Sequence, residues 1–208
     1  MTVTTGMPTR RAFGRLLAGV LATGGAAPFL TPALAREPPA TESWVRYEAL
    51  VAALLETSSA TATLAAWSRQ RGWDDRIVAH KLEADMRPAP GRIAALLDIP
   101  EGEIVGYRKV ALASGDRVLS RADNWFTPGR LSSGVNAGLD ASQTPFGRLV
   151  SRMSPTRRVI SADRLWAIPH EAAPAEVFRL FAVVSGATDA GLKPLAVVNE
   201  TYQAVMVT

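Results

Sequence analysis

Two charged residues lie inside apolar runs of this sequence. Arg108 sits in Ile104-Val105-Gly106-Tyr107-Arg108-Lys109-Val110, and Glu200 in Leu195-Ala196-Val197-Val198-Asn199-Glu200-Thr201-Tyr202. A covered sheet face tolerates a charge only where it is paired or meets a ligand. Each residue therefore has two readings: a ligand-facing group, or a member of a structural ion pair or of the wet face. Successive strand residues face opposite ways, so Arg108 and Lys109 cannot both point inward. The stretch Ser120-Arg121-Ala122-Asp123-Asn124-Trp125-Phe126-Thr127-Pro128 mixes polar and aromatic types at a strand end. Such a mixture lines a small-molecule pocket, with aromatic surface for a ring and amides to orient it, and it equally builds the edge of a core. Arg157-Arg158 reads as a solvated pair. His80 and His170 are far apart, and neither has a carboxylate at metal-ligand spacing, so the sequence predicts no metal site and no cofactor. The absence of cysteine excludes disulfides and thiolate chemistry.

The elements that must position these residues follow from period and punctuation. Trp44, Tyr47, Val51, Leu54 and Leu55 recur at helical steps, which predicts an amphipathic helix over 41–56 with Thr41 as its cap. A second helix is expected over 61–70, ended by Gly72. The period then shifts, and 76–86 reads as a strand broken by Pro88 and Pro90, followed by a helical or turn segment over 92–97. The clearest hairpin joins 103–113 to 118–127 through Ser114-Gly115-Asp116. Residues 132–139 and 144–151 read as helices, the latter with Thr144 as N-cap and Pro145 at the first helical position. A strand over 159–167 and a final hairpin, 176–185 with 194–207 across the loop 186–191, complete the set. The fold class expected is α+β: an antiparallel sheet of about six strands flanked by helices.

The first residues carry a different signal. Arg10-Arg11 precede Phe13 and the uncharged stretch 16–35, which closes on Ala33-Leu34-Ala35. This is a basic region, an apolar region and a small-residue cleavage site, the pattern of a twin-arginine signal peptide over 1–35 with cleavage before Arg36. Gly19, Gly24, Gly25, Pro28 and Pro32 dilute the stretch, which favours a cleaved signal over a permanent anchor and predicts no stable membrane span afterwards. The expected partner at this end is the twin-arginine export machinery, and the expected location is the periplasm or the exterior. Removal of 1–35 takes Arg10, Arg11 and Arg15 from the 23 basic residues and none of the 19 acids, leaving a balance of +1. On that ground nucleic acid is set aside as a partner of the single domain expected over 36–208.

A set of short motifs then resembles one family. Ser59-Ala60-Thr61-Ala62-Thr63-Leu64, Tyr107-Arg108-Lys109-Val110-Ala111-Leu112 with its Gly115 turn, Pro128, Thr144-Pro145-Phe146-Gly147-Arg148, and Lys193-Pro194-Leu195 ahead of Glu200 are together similar to bacterial chorismate pyruvate-lyase. The resemblance implies a buried pocket for a small aromatic carboxylic acid inside the sheet-and-helix fold. It implies that Arg108 receives a substrate carboxylate, that Glu200 meets the ring's oxygen substituent, and that Ala60 and Phe146 contribute backbone contacts. Two parallel N–H bonds of a guanidinium suit a carboxylate, and a buried glutamate suits proton traffic. The implied reaction eliminates pyruvate from chorismate to leave 4-hydroxybenzoate, without metal or cofactor. Two positions depart from the pattern: Asn124 stands where the lyases have an arginine, and the step from Pro194 to Glu200 is one residue longer, which reverses facing unless a bulge absorbs it. The alternative is a noncatalytic exported protein that binds a similar acid in the same pocket.

Overall fold

The computed structural model describes residues 41–208, so the signal peptide read over 1–35 lies outside the described residues. Helix α1 (Glu42–Glu56) starts at Thr41, whose side chain accepts from the Trp44 N–H at 3.2 Å, and it buries Tyr47, Leu50, Val51 and Leu54 at three- and four-residue steps. Helix α2 (Ala60–Gln70) is capped by Ser59 and ends before Gly72, whose φ of +68° is glycine's to adopt. Strand β1 (Ile77–Pro88) leads to α3 (Gly91–Leu97), and the hairpin β2 (Ile104–Ser114) and β3 (Arg117–Phe126) turns at Gly115 with φ +55°. Helices α4 (Ser133–Ala141) and α5 (Phe146–Leu149) follow, then β4 (Thr156–Arg164), β5 (Glu176–Thr188) and β6 (Gly191–Gln203).

All pairings are antiparallel, in the order β1-β2-β3-β6-β5-β4. The α+β fold with a six-stranded antiparallel sheet is thus the architecture of the described residues. One sheet face packs on α1, α2, α4 and α5 through a cluster containing Tyr47, Leu50, Leu64, Val110, Leu112, Phe146 and Tyr202. On the other face α3 sets Ile93, Ala94 and Leu97 against Val105, Val183 and Val197.

Several boundaries differ from expectation. Helix α5 spans four residues rather than running to Ser151, and Pro145, not Thr144, occupies its cap position. The chain passes into a 3-10 turn at Ser151–Met153 and then to Ser154 with φ +48°. Pro155 follows, and a proline disfavours right-handed helical geometry at the residue before it. Freed from that helix, β4 begins at Thr156, three residues before Val159, and ends at Arg164. In the last hairpin the strands continue through Gly186 to Thr188 and resume at Gly191, because Asp189 and Ala190 suffice for the turn. The final strand stops at Gln203, where a 3-10 turn, Ala204–Met206, takes over.

Candidate functional site

Between the helical face of the sheet and the α1–α2 junction lies a cavity of about 50 Å³. Its floor comes from all six strands, most of it from β2, β3 and β6; its roof from Ser58–Thr61 and from Pro145–Gly147 at the start of α5. Arg108, Glu200, Ala60, Asn124 and Phe146 all line it. The register explains why. Arg108 pairs with Asn124 and Asn124 with Val198, while Val110 pairs with Ala122 and Ala122 with Glu200. Residues paired across neighbouring strands, and those two apart along one strand, share a face. The Cα atoms of Arg108 and Glu200 are thus separated by two strand spacings of ~4.8 Å and two residues of ~3.3 Å, roughly 12 Å in all, so their side chains approach one cavity from different ends.

Glu200 owes its facing to an irregularity. The β5–β6 pairing steps from Val184↔Ala196 to Ser185↔Pro194, so Leu195 is an extra residue on β6. That bulge absorbs the additional residue noted between Pro194 and Glu200, and the glutamate keeps its inward orientation.

The two charges differ in how they are satisfied. Arg108 is 2% exposed, and its Nε and Nη2 have no hydrogen-bond partner. Among the described residues it is the one charged group with buried orphaned donors. Burial holds this guanidinium below its ordinary pKa, partly offset by the charge of Asp140. Glu200 is instead a member of a buried ion pair: Arg157 Nη2 donates to its Oε2, and the Tyr202 hydroxyl donates to the same oxygen at 3.0 Å. Arg157 also donates to the Leu54 carbonyl at 2.9 Å. Burial alone pulls Arg157 down, but Glu200 and Tyr202 beside it leave it raised. Burial pushes the Tyr202 hydroxyl well up, reinforced by the Glu200 charge. No hydrogen bond from the described residues reaches Glu200 Oε1.

The two charges thus stand differently at the two ends of the cavity: Arg108 lines it without a partner, and Glu200 is ion-paired. The reading of Arg157-Arg158 as a solvated pair is corrected for Arg157, whose side chain is 2% exposed and lines the cavity. The earlier start of β4 accounts for this: Arg157 pairs with Val184 on the cavity face, and Arg158, pairing with Val183, turns to the other side. The signal was Pro155 just ahead of the pair; a strand begun directly after it alternates Arg157 inward and Arg158 outward.

The polar-aromatic segment before Pro128 divides by the same parity. Asn124 faces the cavity, Trp125 packs with Tyr107 on the far face at 5.4 Å between centroids, and Phe126 lies 6.5 Å from Phe146. Gly106 lets the Phe126 ring lie flat, since a Cβ there would meet it at 2.2 Å. Ala60 begins α2, where the first backbone N–H groups lack intrahelical acceptors and the helix dipole favours an anion. Apolar cavities that take up benzene measure about 150 Å³, so this cavity is smaller than one that holds an aromatic ring. The roof segments touch through Gly147, where a Cβ would lie 3.2 Å from Thr61 Oγ1.

No family model matches the chain. Over 122 residues it is 39% identical to the uncharacterized protein y4mC of Sinorhizobium fredii (strain NBRC 101917 / NGR234), which covers 57% of this chain and 52% of that protein. The chain thus spans about half the length of the curated relative it matches. Among solved structures, it is similar to a ligand-binding domain described as that of a GntR-family transcriptional regulator from Bordetella bronchiseptica, with 23% identity and a TM-score of 0.41 over 61% of this chain and 82% of that one. It is also similar to the effector domain of PhnF from Mycobacterium smegmatis, with 11% identity and a TM-score of 0.46 over 70% of this chain and 88% of that one. These likenesses are partial. They do correct one expectation. Nucleic acid was set aside on the charge balance of residues 36–208, whereas the similar domains come from proteins described as transcriptional regulators. A near-neutral charge describes one domain's surface and does not exclude nucleic acid as a partner of a protein that contains such a domain.

Proposed function

We propose that this chain binds a small aromatic carboxylic acid in the buried cavity, its carboxylate on Arg108 and its far end toward Glu200. One observation carries the reading: Nε and Nη2, the two donors along one edge of the Arg108 guanidinium, are buried without partners in the cavity wall. An orphaned buried cation costs stability, and a carboxylate matches that edge with two parallel hydrogen bonds. Apolar walls from Val110, Leu112, Val150 and Val198 suit a ring, with Asn124 to orient it. The experiment is calorimetric titration of the full chain with 4-hydroxybenzoate, beside Arg108→Ala. Binding by the wild type and its loss in the variant is the expected result; equal affinity in Arg108→Ala overturns the carboxylate assignment.

A second reading, turnover of chorismate to 4-hydroxybenzoate and pyruvate, is favoured by the presence of Arg108 and Glu200 in one cavity. The chain would hold the reactive conformer, with Arg108 neutralising a carboxylate and Glu200 Oε1 placed to exchange a proton. Equimolar release of both products, abolished in Glu200→Gln, supports it. Absence of release while 4-hydroxybenzoate still binds leaves the binding reading alone. The export signal read over 1–35 assigns either activity to the periplasm or exterior.

A further inference from the structure

Three charged side chains line the cavity: Arg108, Arg157 and Glu200. Every other lining residue is neutral, Asn124 included. Arg157 and Glu200 pair directly, with side chains 2% and 9% exposed, and cancel. Arg108 is left as one uncompensated positive charge. The acid nearest to it in effect, Asp140, is exposed and does not line the cavity, so water screens its contribution.

We infer that this cavity selects by charge: it accepts an aromatic acid carrying one negative charge and rejects a dianion of the same shape. The inference rests on the Arg108 reading above. A ligand carboxylate on Arg108 brings the buried charge to zero. A second carboxylate at the far end of the ring would lie against the Glu200 carboxylate, where burial amplifies repulsion between like charges. It could not recruit Arg157 without stripping Glu200 of its partner, which strands a buried charge in either arrangement. A neutral hydrogen-bond donor at that end meets Glu200 Oε1 instead, to which the described residues donate nothing. Monoanionic hydroxy- or aminobenzoates fit this description. Chorismate, with two carboxylates, does not, so the charge balance favours retention of a monoacid over binding of the dianionic precursor.

The test compares 4-nitrobenzoate with terephthalate, planar acids whose far ends have nearly the same shape and differ by one charge. Titrated into the full chain at neutral pH, 4-nitrobenzoate is expected to bind at least about 30-fold more tightly. In Glu200→Gln the cavity gains one net positive charge and frees Arg157, so the ratio should fall below about threefold or reverse. Equal affinities in the wild type overturn the inference, as does an unchanged ratio in a folded variant. Should Glu200→Gln fail to fold, the wild-type comparison decides alone. Binding of all the acids regardless of charge removes charge selection and leaves the Arg108 reading standing; binding of none removes both.

Discussion

Arg108→Met should make this protein more stable and worse at binding, and the combination separates a ligand-facing arginine from a structural one. Methionine follows the aliphatic stem of arginine and fills apolar space without a charge or donors. In the native cavity wall, Arg108 keeps Nε and Nη2 unsatisfied at 2% exposure, and burial penalises its charged form. Each unsatisfied buried donor costs about 1–3 kcal/mol, and replacing buried charges by apolar groups of similar volume has gained about 1–4 kcal/mol elsewhere. Lost van der Waals contact of the guanidinium offsets part of this, so the expected net gain is about 1–3 kcal/mol. For a domain of this size 2 kcal/mol corresponds to a rise in Tm of roughly 4–8 °C. The same substitution leaves a bound carboxylate buried without its cation, which costs about 2–5 kcal/mol, or at least about 30-fold in affinity. Urea unfolding read by circular dichroism gives the first quantity, and titration with 4-hydroxybenzoate the second. A loss of stability of 1 kcal/mol or more would show that Arg108 is held for packing, and undiminished affinity would show that it does not meet the ligand.

Two further outcomes follow from the same buried groups. Arg157→Met strands the Glu200 carboxylate with the Tyr202 hydroxyl as its remaining donor, at a cost of about 3–5 kcal/mol in urea unfolding; the double variant with Glu200→Met should recover most of it, and a single-variant cost below about 1 kcal/mol would refute the pairing. Tyr47, Tyr107 and Tyr202, which are all three tyrosines of the chain, have pKa values raised by burial, so phenolate absorbance should stay flat through pH 10 and then rise together with loss of the circular dichroism signal. Their contribution to stability is intact below the unfolded value near 10 and is lost as pH climbs toward the folded values, because the unfolded chain alone releases the protons; a gradual rise centred near pH 10 in the folded protein would contradict this.

How much of this was legible in the sequence depended on the range over which each signal acts. The cap at Thr41, the period of α1 and the Gly115 turn are local, and each stands where the residues point. The helix expected through Ser151 ends at Leu149, because cap signals mark where a helix starts and its end here is set from beyond it, by Pro155. Facing in strands is more exposed still to such errors, since one residue of slip inverts it. The extra residue before Glu200 could be counted in the sequence, yet whether it turned the glutamate outward depended on a bulge at Leu195 that only the pairing with β5 reveals.

Arg157 shows the functional consequence. A strand begun at Val159 leaves both arginines in a loop, where a solvated pair is the natural reading. Begun at Thr156, the strand sends Arg157 to Glu200 and Arg158 to the opposite face, and the charge of the cavity changes. With Arg108 and Glu200 alone the cavity would be self-neutralising, and an acidic ligand would gain little from entering it. With Arg157 engaged by Glu200, Arg108 is left uncompensated, which is the ground for the proposed preference for one negative charge. On that proposal, whether an aromatic acid gains from entering this cavity turns on where one edge strand begins.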